Sequence, residues 1–257
     1  MDSLSLIFPA IALGGIWGSF LGVLSVRIPE GESVISPPSR CDSCKTPLKF
    51  REMIPLVSWI LLKGRCQTCQ HAMPFEVPVS EMAAAIFFGI LASLHLPMLH
   101  SIVLLLFFTF ALPLTLIDIR FHRLPHLLTI SAIAVGLVIS SKFLGGQGFF
   151  LSFSGAVLGF LPVAVVAIFY KKGIGMGDAF WLAAIGAFAG PESLPEVLLI
   201  ASGTGIIAAL AFRTFHNSFK NQPIWGLAIP FGPFLSLGGI VALWNPDSMN
   251  YFTIYLK

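Results

Sequence analysis

Long apolar runs alternate with short polar intervals along most of the chain. Eight runs stand out, at roughly 4–24, 79–96, 101–119, 125–143, 149–170, 178–190, 194–212 and 226–244. Most approach the ~20 residues that carry a helix across a ~30 Å hydrocarbon core. Backbone groups in lipid must find partners within their own segment, which makes such spans helical. The run from Leu4 to Val26 has no basic residue before it and no clear cleavage site, so it reads as a first span rather than a removable signal. The run 178–190 is short and rich in Gly and Ala, the composition of a helix packed closely against its neighbours. One long polar interval, 25–78, separates the first two runs. The expectation is an all-α polytopic membrane protein of about eight transmembrane helices. It divides into a first transmembrane helix (1–24), a loop domain between helices 1 and 2 (25–78), and a seven-helix membrane domain (79–257).

Composition strengthens this reading. Of 257 residues, 56% are hydrophobic and 11% charged, against about 25% charged in an ordinary soluble domain. Placement of the charges adds an orientation. The interval 25–78 holds Arg27, Arg40, Lys45, Lys49, Arg51, Lys63 and Arg65. By alternation of spans, Arg120, Arg123, Lys171, Lys172, Arg213 and Lys220 fall on the same side, and only Lys142 and Lys257 on the other. Basic residues accumulate on the cytoplasmic side of membrane proteins, so the loop is expected in the cytoplasm and both termini outside. The basic residues then serve orientation and contact with anionic lipid, and no nucleic-acid partner is expected.

All four cysteines lie in that loop. Cys41-Asp42-Ser43-Cys44 and Cys66-Gln67-Thr68-Cys69 are two CxxC pairs with 21 residues between them. Four thiolates on two knuckles suit a closed, tetrahedral, structural Zn2+ site, and a reducing cytoplasm disfavours two disulfides. A redox role for one CxxC pair is the alternative. His71 follows closely but reads as a surface residue. The apolar run Ile54–Leu62 is too short to span and is expected to pack on the knuckles or lie along the bilayer.

Two acids stand deep in the apolar pattern. Asp118 closes the run 101–119, and Asp178 opens the run 178–190 after the glycine-rich stretch Gly173 to Gly177. An ionisable residue in a membrane span is costly to keep and marks a functional site by default. The topology delivers both to one face, from spans far apart in sequence. Two close carboxylates cannot both ionise cheaply, so the pair holds one proton between them. Such a pair can activate water against a peptide bond. The glycines leave the backbone free to approach an extended segment. Each acid also has a plainer reading, as a helix cap or as an ion-pair partner of Arg120, Arg123 or Lys172. A proton-coupled transporter would favour carboxylates at the midplane, whereas these lie near one interface.

The ordered motifs point further. Gly18-Ser19-Phe20-Leu21 precedes Arg27-Ile28-Pro29, and Pro37-Pro38-Ser39-Arg40-Cys41 opens the cysteine loop. Ile54-Pro55 and Ser58-Trp59 follow within it. Glu81 opens the second span, and Asp118 is followed by Leu124-Pro125. Gly175-Met176-Gly177-Asp178 and Pro230-Phe231-Gly232-Pro233-Phe234 complete the set. Over nearly its whole length the chain resembles the type IV prepilin peptidases, membrane aspartyl proteases of the GxGD type. The resemblance implies removal of the basic leader from type IV prepilins and type II secretion pseudopilins at the inner (cytoplasmic) membrane of bacteria. It implies Asp118 and Asp178 as catalytic residues, and N-methylation of the new N-terminus from S-adenosylmethionine. A relative without methylation is the neighbouring alternative, and the four-cysteine loop goes with the bifunctional group. The chain departs from the family pattern at Gly22, where Asn is usual. It departs again at His126, often an acid, and at Ala179-Phe180-Trp181, where the middle residue is commonly Lys and the last Leu.

Overall fold

The computed structural model describes residues 3–36, 38–41, 43–169, 175–215 and 229–245. Pro37, Asp42, Lys171, Lys172, Gly173, Lys220, Lys257 and the first residues of the expected run 226–244 lie outside the described residues. The described chain is helical. It comprises α1 (Ser3–Glu30), α2 (Val57–Leu61), α3 (Glu76–Ser93), α4 (Met98–Phe121), α5 (His126–Phe169), α6 (Met176–Ala189), α7 (Leu194–Phe215) and α8 (Gly232–Trp244). Among the described residues, five helical stretches are long and apolar enough to cross a membrane: Ser5–Glu30, Glu76–Ser93, Met98–Phe121, His126–Phe169 and Pro191–Thr214. α6 and α8 are apolar but shorter. Side chains such as Phe150, Leu199, Ile206 and Ile207 stand exposed on these helices. Apolar flanks of this kind suit lipid rather than water, and the chain is a multi-pass membrane protein.

One boundary agrees with the apolar pattern and one differs, each for a local reason. The expected runs 125–143 and 149–170 are two helical parts, here labelled together as α5, that meet at a kink at Gly145, whose φ of 65° and ψ of −152° are non-helical. That conformation carries no penalty for glycine. α1 continues past the end of its apolar run through Arg27 to Glu30. It stops at Gly31, with φ 71°, where Glu32 N–H donates to Arg27 O at 3.0 Å and Gly31 N–H to Ile28 O at 3.2 Å. This paired closure by a left-handed glycine is the Schellman ending.

The chain divides once, into compact units Met1–Ser101 and Ile102–Lys257, which keeps the cysteine loop with α1 and α3. In the first unit, Gly14, Gly18 and Gly22 form a stripe along α1 that lies against α3 at Ala84 and Ser80. A Cβ on Gly14 would stand 2.5 Å from the Ala84 carbonyl oxygen. Without one, the helices approach to backbone contact, and Ser80 Oγ donates to the Gly18 carbonyl at 2.7 Å. Helices in lipid associate by such close packing and interhelical hydrogen bonds.

In the second unit, α6 is almost wholly buried, from Ala179 and from Trp181 through Ala189. The Gly155 and Gly186 backbones meet face to face, and Gly159 lies against the Leu182 carbonyl. Gly136 rests on Ala187. Small residues thus let both parts of α5 close on α6, as the Gly/Ala composition of its run suggested. Phe107 of α4 stacks on Trp181 at 5.3 Å between ring centroids and meets Phe188 edge-on at 5.5 Å.

Candidate active site and metal centre

Asp118 lies in the last turn of α4 and is buried. The chain leaves the helix at His122, with φ 52°, whose N–H still donates to the Asp118 carbonyl at 2.9 Å. The Asp118 carboxylate accepts the Gly232 N–H on Oδ2 at 2.8 Å. Gly232 begins α8, so the carboxylate meets the free N–H groups and the positive dipole end of that helix. A Cβ at Gly232 would come 2.8 Å from Asp118 Oδ2, which makes glycine the residue that fits.

Asp178 occupies the third position of α6. Its Oδ2 accepts the Gly175 N–H at 3.1 Å, and the Asp178 N–H returns to the Gly175 carbonyl at 3.1 Å. The plainer capping reading therefore has a real counterpart. Gly175 is the cap, and Asp178 reaches back to it from inside the helix. The side chain is only partly buried. Leu124, buried, lies between the two helix starts. Its Cβ would be 2.9 Å from a Cβ on Gly177, and its Cδ2 would be 3.1 Å from one on Gly232. Arg120 and Arg123 lie with their guanidinium carbons 5.2 and 5.7 Å from the centre of the Phe121 ring.

Two contacts beside the pair were not visible in the sequence. Trp181, fully buried one turn after Asp178, donates its indole N–H to Ser236 Oγ at 3.1 Å. The Ser236 hydroxyl donates to the Gly232 carbonyl at 2.9 Å. The only sequence signal was Gly232-Pro233 at the head of an apolar run, a good helix start. The second contact is between His126 and Phe180, whose rings meet edge-on at 4.9 Å, with Phe160 at 4.8 Å from Phe180.

The four cysteines come together. One sulfur from each lies within 4.8 Å of the others. The closest pairs are Cys41–Cys69 at 3.7 Å and Cys44–Cys66 at 3.9 Å. Four sulfurs at about 2.3 Å from one tetrahedral ion stand roughly 3.8 Å apart, so the cluster fits a zinc-sized ion. Each knuckle is built the same way. Cys41 N–H donates to Thr46 O at 3.0 Å and Cys66 N–H to His71 O at 2.9 Å. Lys45 and Gln70, each four residues past its first cysteine, take φ of 55° and 60°. His71 thus serves through its backbone, and its side chain is exposed. The Thr46 hydroxyl, 3.2 Å from Cys44 Sγ, together with the Thr46 backbone N–H, lowers the Cys44 thiol to about 6. At Cys66 the Cys69 backbone N–H has the same lowering effect, helped by that of Thr68. At Cys41 the Cys44 backbone N–H pulls down, but burial and the facing thiols outweigh it and the group stands at about 11.

A cavity of about 190 Å³ lies in the first unit, between α1, α3 and the cysteine loop. Glu81, Glu52, Arg27, Arg40 and Trp59 line it. Glu81 is buried and its Oε2 accepts the Leu56 N–H at 2.7 Å. Arg27, also buried, donates to the carbonyls of Ser33 at 3.1 Å, Val34 at 3.3 Å and Pro38 at 3.4 Å. Arg40 pairs with Glu32 at 3.7 Å.

Helices of this length and apolarity, with a carboxylate at an end of each of two of them and a four-thiol cluster in a loop, define a multi-pass membrane protein with a candidate metal site. The family follows from comparison. Residues 12–95 match the bacterial peptidase A24 N-terminal domain, and residues 103–210 match the type IV leader peptidase family. The chain is 33% identical to the prepilin leader peptidase/N-methyltransferase of Aeromonas hydrophila, over 93% of this chain and 91% of the relative. It is 31% identical to the protein of that name from Pectobacterium carotovorum subsp. carotovorum, over 90% of each. It is also 31% identical to the type 4 prepilin-like proteins leader peptide-processing enzyme of Escherichia coli O78:H11, over 92% of this chain and 93% of the relative. The chain belongs to the type IV leader peptidase family. No solved structure matches it.

Proposed function

We propose that this chain cleaves the basic leader from type IV prepilins and type II secretion pseudopilins, with Asp118 and Asp178 as the catalytic pair. It then N-methylates the new N-terminal residue. One observation carries the reading. Carboxylates from α4 and α6, distant in sequence, are each held by a glycine N–H at a helix start, and both helix starts pack on the same residue, Leu124. The relatives' names supply the substrate class and the second activity. In the resting pair one carboxyl is protonated. The ionised partner takes a proton from water as the water oxygen attacks the scissile carbonyl. The protonated partner stabilises the tetrahedral oxygen and gives its proton to the departing amine. The eight apolar runs span the inner membrane with the cysteine loop in the cytoplasm and both termini outside. The leader then lies on the loop side and the pilin helix in the bilayer.

Cys41, Cys44, Cys66 and Cys69 would hold a structural Zn2+ that closes the two knuckles on each other. S-adenosylmethionine would supply an electrophilic methyl on a sulfonium centre. The cavity of the first unit fits its methionyl end in charge. The buried Glu81 suits a cation, Arg27 a carboxylate, and the Trp59 face either the sulfonium or a ring.

The test is prepilin cleavage in detergent by the wild type, Asp118→Asn and Asp178→Asn, with mass analysis of the mature N-terminus. Loss of cleavage in both folded variants supports the pair, and cleavage by either one refutes it. A product heavier by one methyl group, dependent on added S-adenosylmethionine, supports the second activity. An unmethylated product under the same conditions restricts the chain to peptidase.

A further inference from the structure

Three helices meet around one indole. Trp181 belongs to α6, which carries Asp178. Its ring is fully buried and stacks on Phe107 of α4 with only 14° between the planes, and α4 carries Asp118. Its N–H reaches Ser236 of α8 at 3.1 Å, and α8 begins with Gly232, the donor to Asp118. The hydrogen bonds run without a gap in named partners. The indole N–H donates to Ser236 Oγ, and Ser236 Oγ donates to Gly232 O at 2.9 Å. Gly232 N–H then donates to Asp118 Oδ2 at 2.8 Å. Ser236 is itself buried, so these bonds act where water does not compete and an unmet partner is costly.

We infer that Trp181, through Ser236, is a positioning residue. It fixes the start of α8 so that the Gly232 N–H is presented to the Asp118 carboxylate, and so ties the setting of Asp118 to the helix that carries Asp178. The geometry explains why a bulky, polar-tipped ring is buried in a helix whose other buried side chains are all apolar. A leucine would fill part of the space against Phe107 but would offer Ser236 no donor. Packing alone needs only the ring. The N–H is the part that bears on Asp118.

The inference rests on the proposed role of Asp118, and the experiment separates the two. Trp181→Phe keeps an aromatic ring against Phe107 and removes the N–H. Ser236→Ala removes the acceptor. Each variant and the double variant are purified in detergent and checked by thermal melting. Prepilin cleavage is followed across pH, with Asp118→Asn alongside. Expected are a fall in kcat of about fivefold or more in each single variant, in line with the loss of one buried hydrogen bond, a KM close to the wild type, and a displaced pH–rate profile. The double variant should be no slower than the worse single one, because both deletions cut the same chain of bonds. Trp181→Phe with wild-type kcat and pH profile, or single-variant losses that multiply in the double variant, overturns the inference. A lowered melting temperature with an unmoved pH profile assigns Trp181 to packing and overturns it as well. Cleavage by Asp118→Asn would instead fell the catalytic reading on which it stands.

Discussion

Gly232 N–H meets Asp118 Oδ2 at 2.8 Å across 114 positions of sequence. The contact joins the end of one helix to the beginning of another, so a buried carboxylate faces a helix dipole of the favourable sign. It also makes position 232 intolerant of any side chain, since a Cβ would stand 2.8 Å from the same oxygen.

Gly232→Ala is therefore expected to lower cleavage by roughly two orders of magnitude, the scale on which small misplacements of reacting groups act. Methylation of an already cut pilin peptide should persist, which would show that the protein is folded. The check is a pair of assays on one preparation, cleavage of prepilin and methyl transfer to the mature peptide.

The cysteine cluster gives a chemical prediction. In metal-free protein at pH 7, Cys44, lowered to about 6 by Thr46, is mostly thiolate. Cys41, at about 11 and buried, is mostly thiol. Thiolates are the reacting species, so iodoacetamide should label Cys44 well before Cys41, read by peptide mass mapping. The Cys44 thiol is lower in the fold than its ordinary 9.0. Its stabilising contribution is thus complete above about 9 and is lost as pH falls through about 6, and labelling should slow over the same fall. Added Zn2+ should protect all four cysteines.

The α1–α3 contact explains a departure from the family pattern. Gly22 lies where Asn is usual, and a Cβ there would run into Ser80 Oγ. Gly22→Asn is expected to lower stability by about 1–3 kcal/mol through overpacking. Ser80→Gly in the same chain should recover part of that loss. Thermal melting in detergent of the two single variants and the double variant measures both.

His126 and Phe180 form another pair of this kind. Each departs from the family's usual acid and lysine, and the rings touch at 4.9 Å. Phe180→Lys alone should destabilise, because it places an ammonium beside His126 and Phe160 without a partner. Phe180→Lys with His126→Glu should regain about 0.5–1 kcal/mol through the new pair. A double-mutant cycle on melting temperature reads the coupling.

The helices were legible because lipid imposes a single rule on every span, and even the break in α5 shows in the sequence as the Gly145-Gly146 interruption. The carboxylates and cysteines were legible because charge in an apolar run and CxxC spacing have few other uses. What was hidden depends on tertiary register. His126 and Phe180 read as two unrelated substitutions until α5 and α6 set them ring to ring. Gly232 read as part of a motif with no assigned task, since its contribution is a backbone N–H that no residue letter encodes. Trp181 read as a departure from leucine, and its partner Ser236 gave no signal of its own.

The glycine stripe on α1 bears on how the protein is made. Gly14, Gly18 and Gly22 leave a groove that α3 fills with Ala84 and Ser80, and α3 leaves the ribosome only after the whole cysteine loop. For that interval α1 sits in the bilayer with its groove open to lipid or to another helix. Closing of the loop is thus also a step of membrane assembly. It brings the proper partner to α1, and a chain delayed there would offer its groove to a stranger.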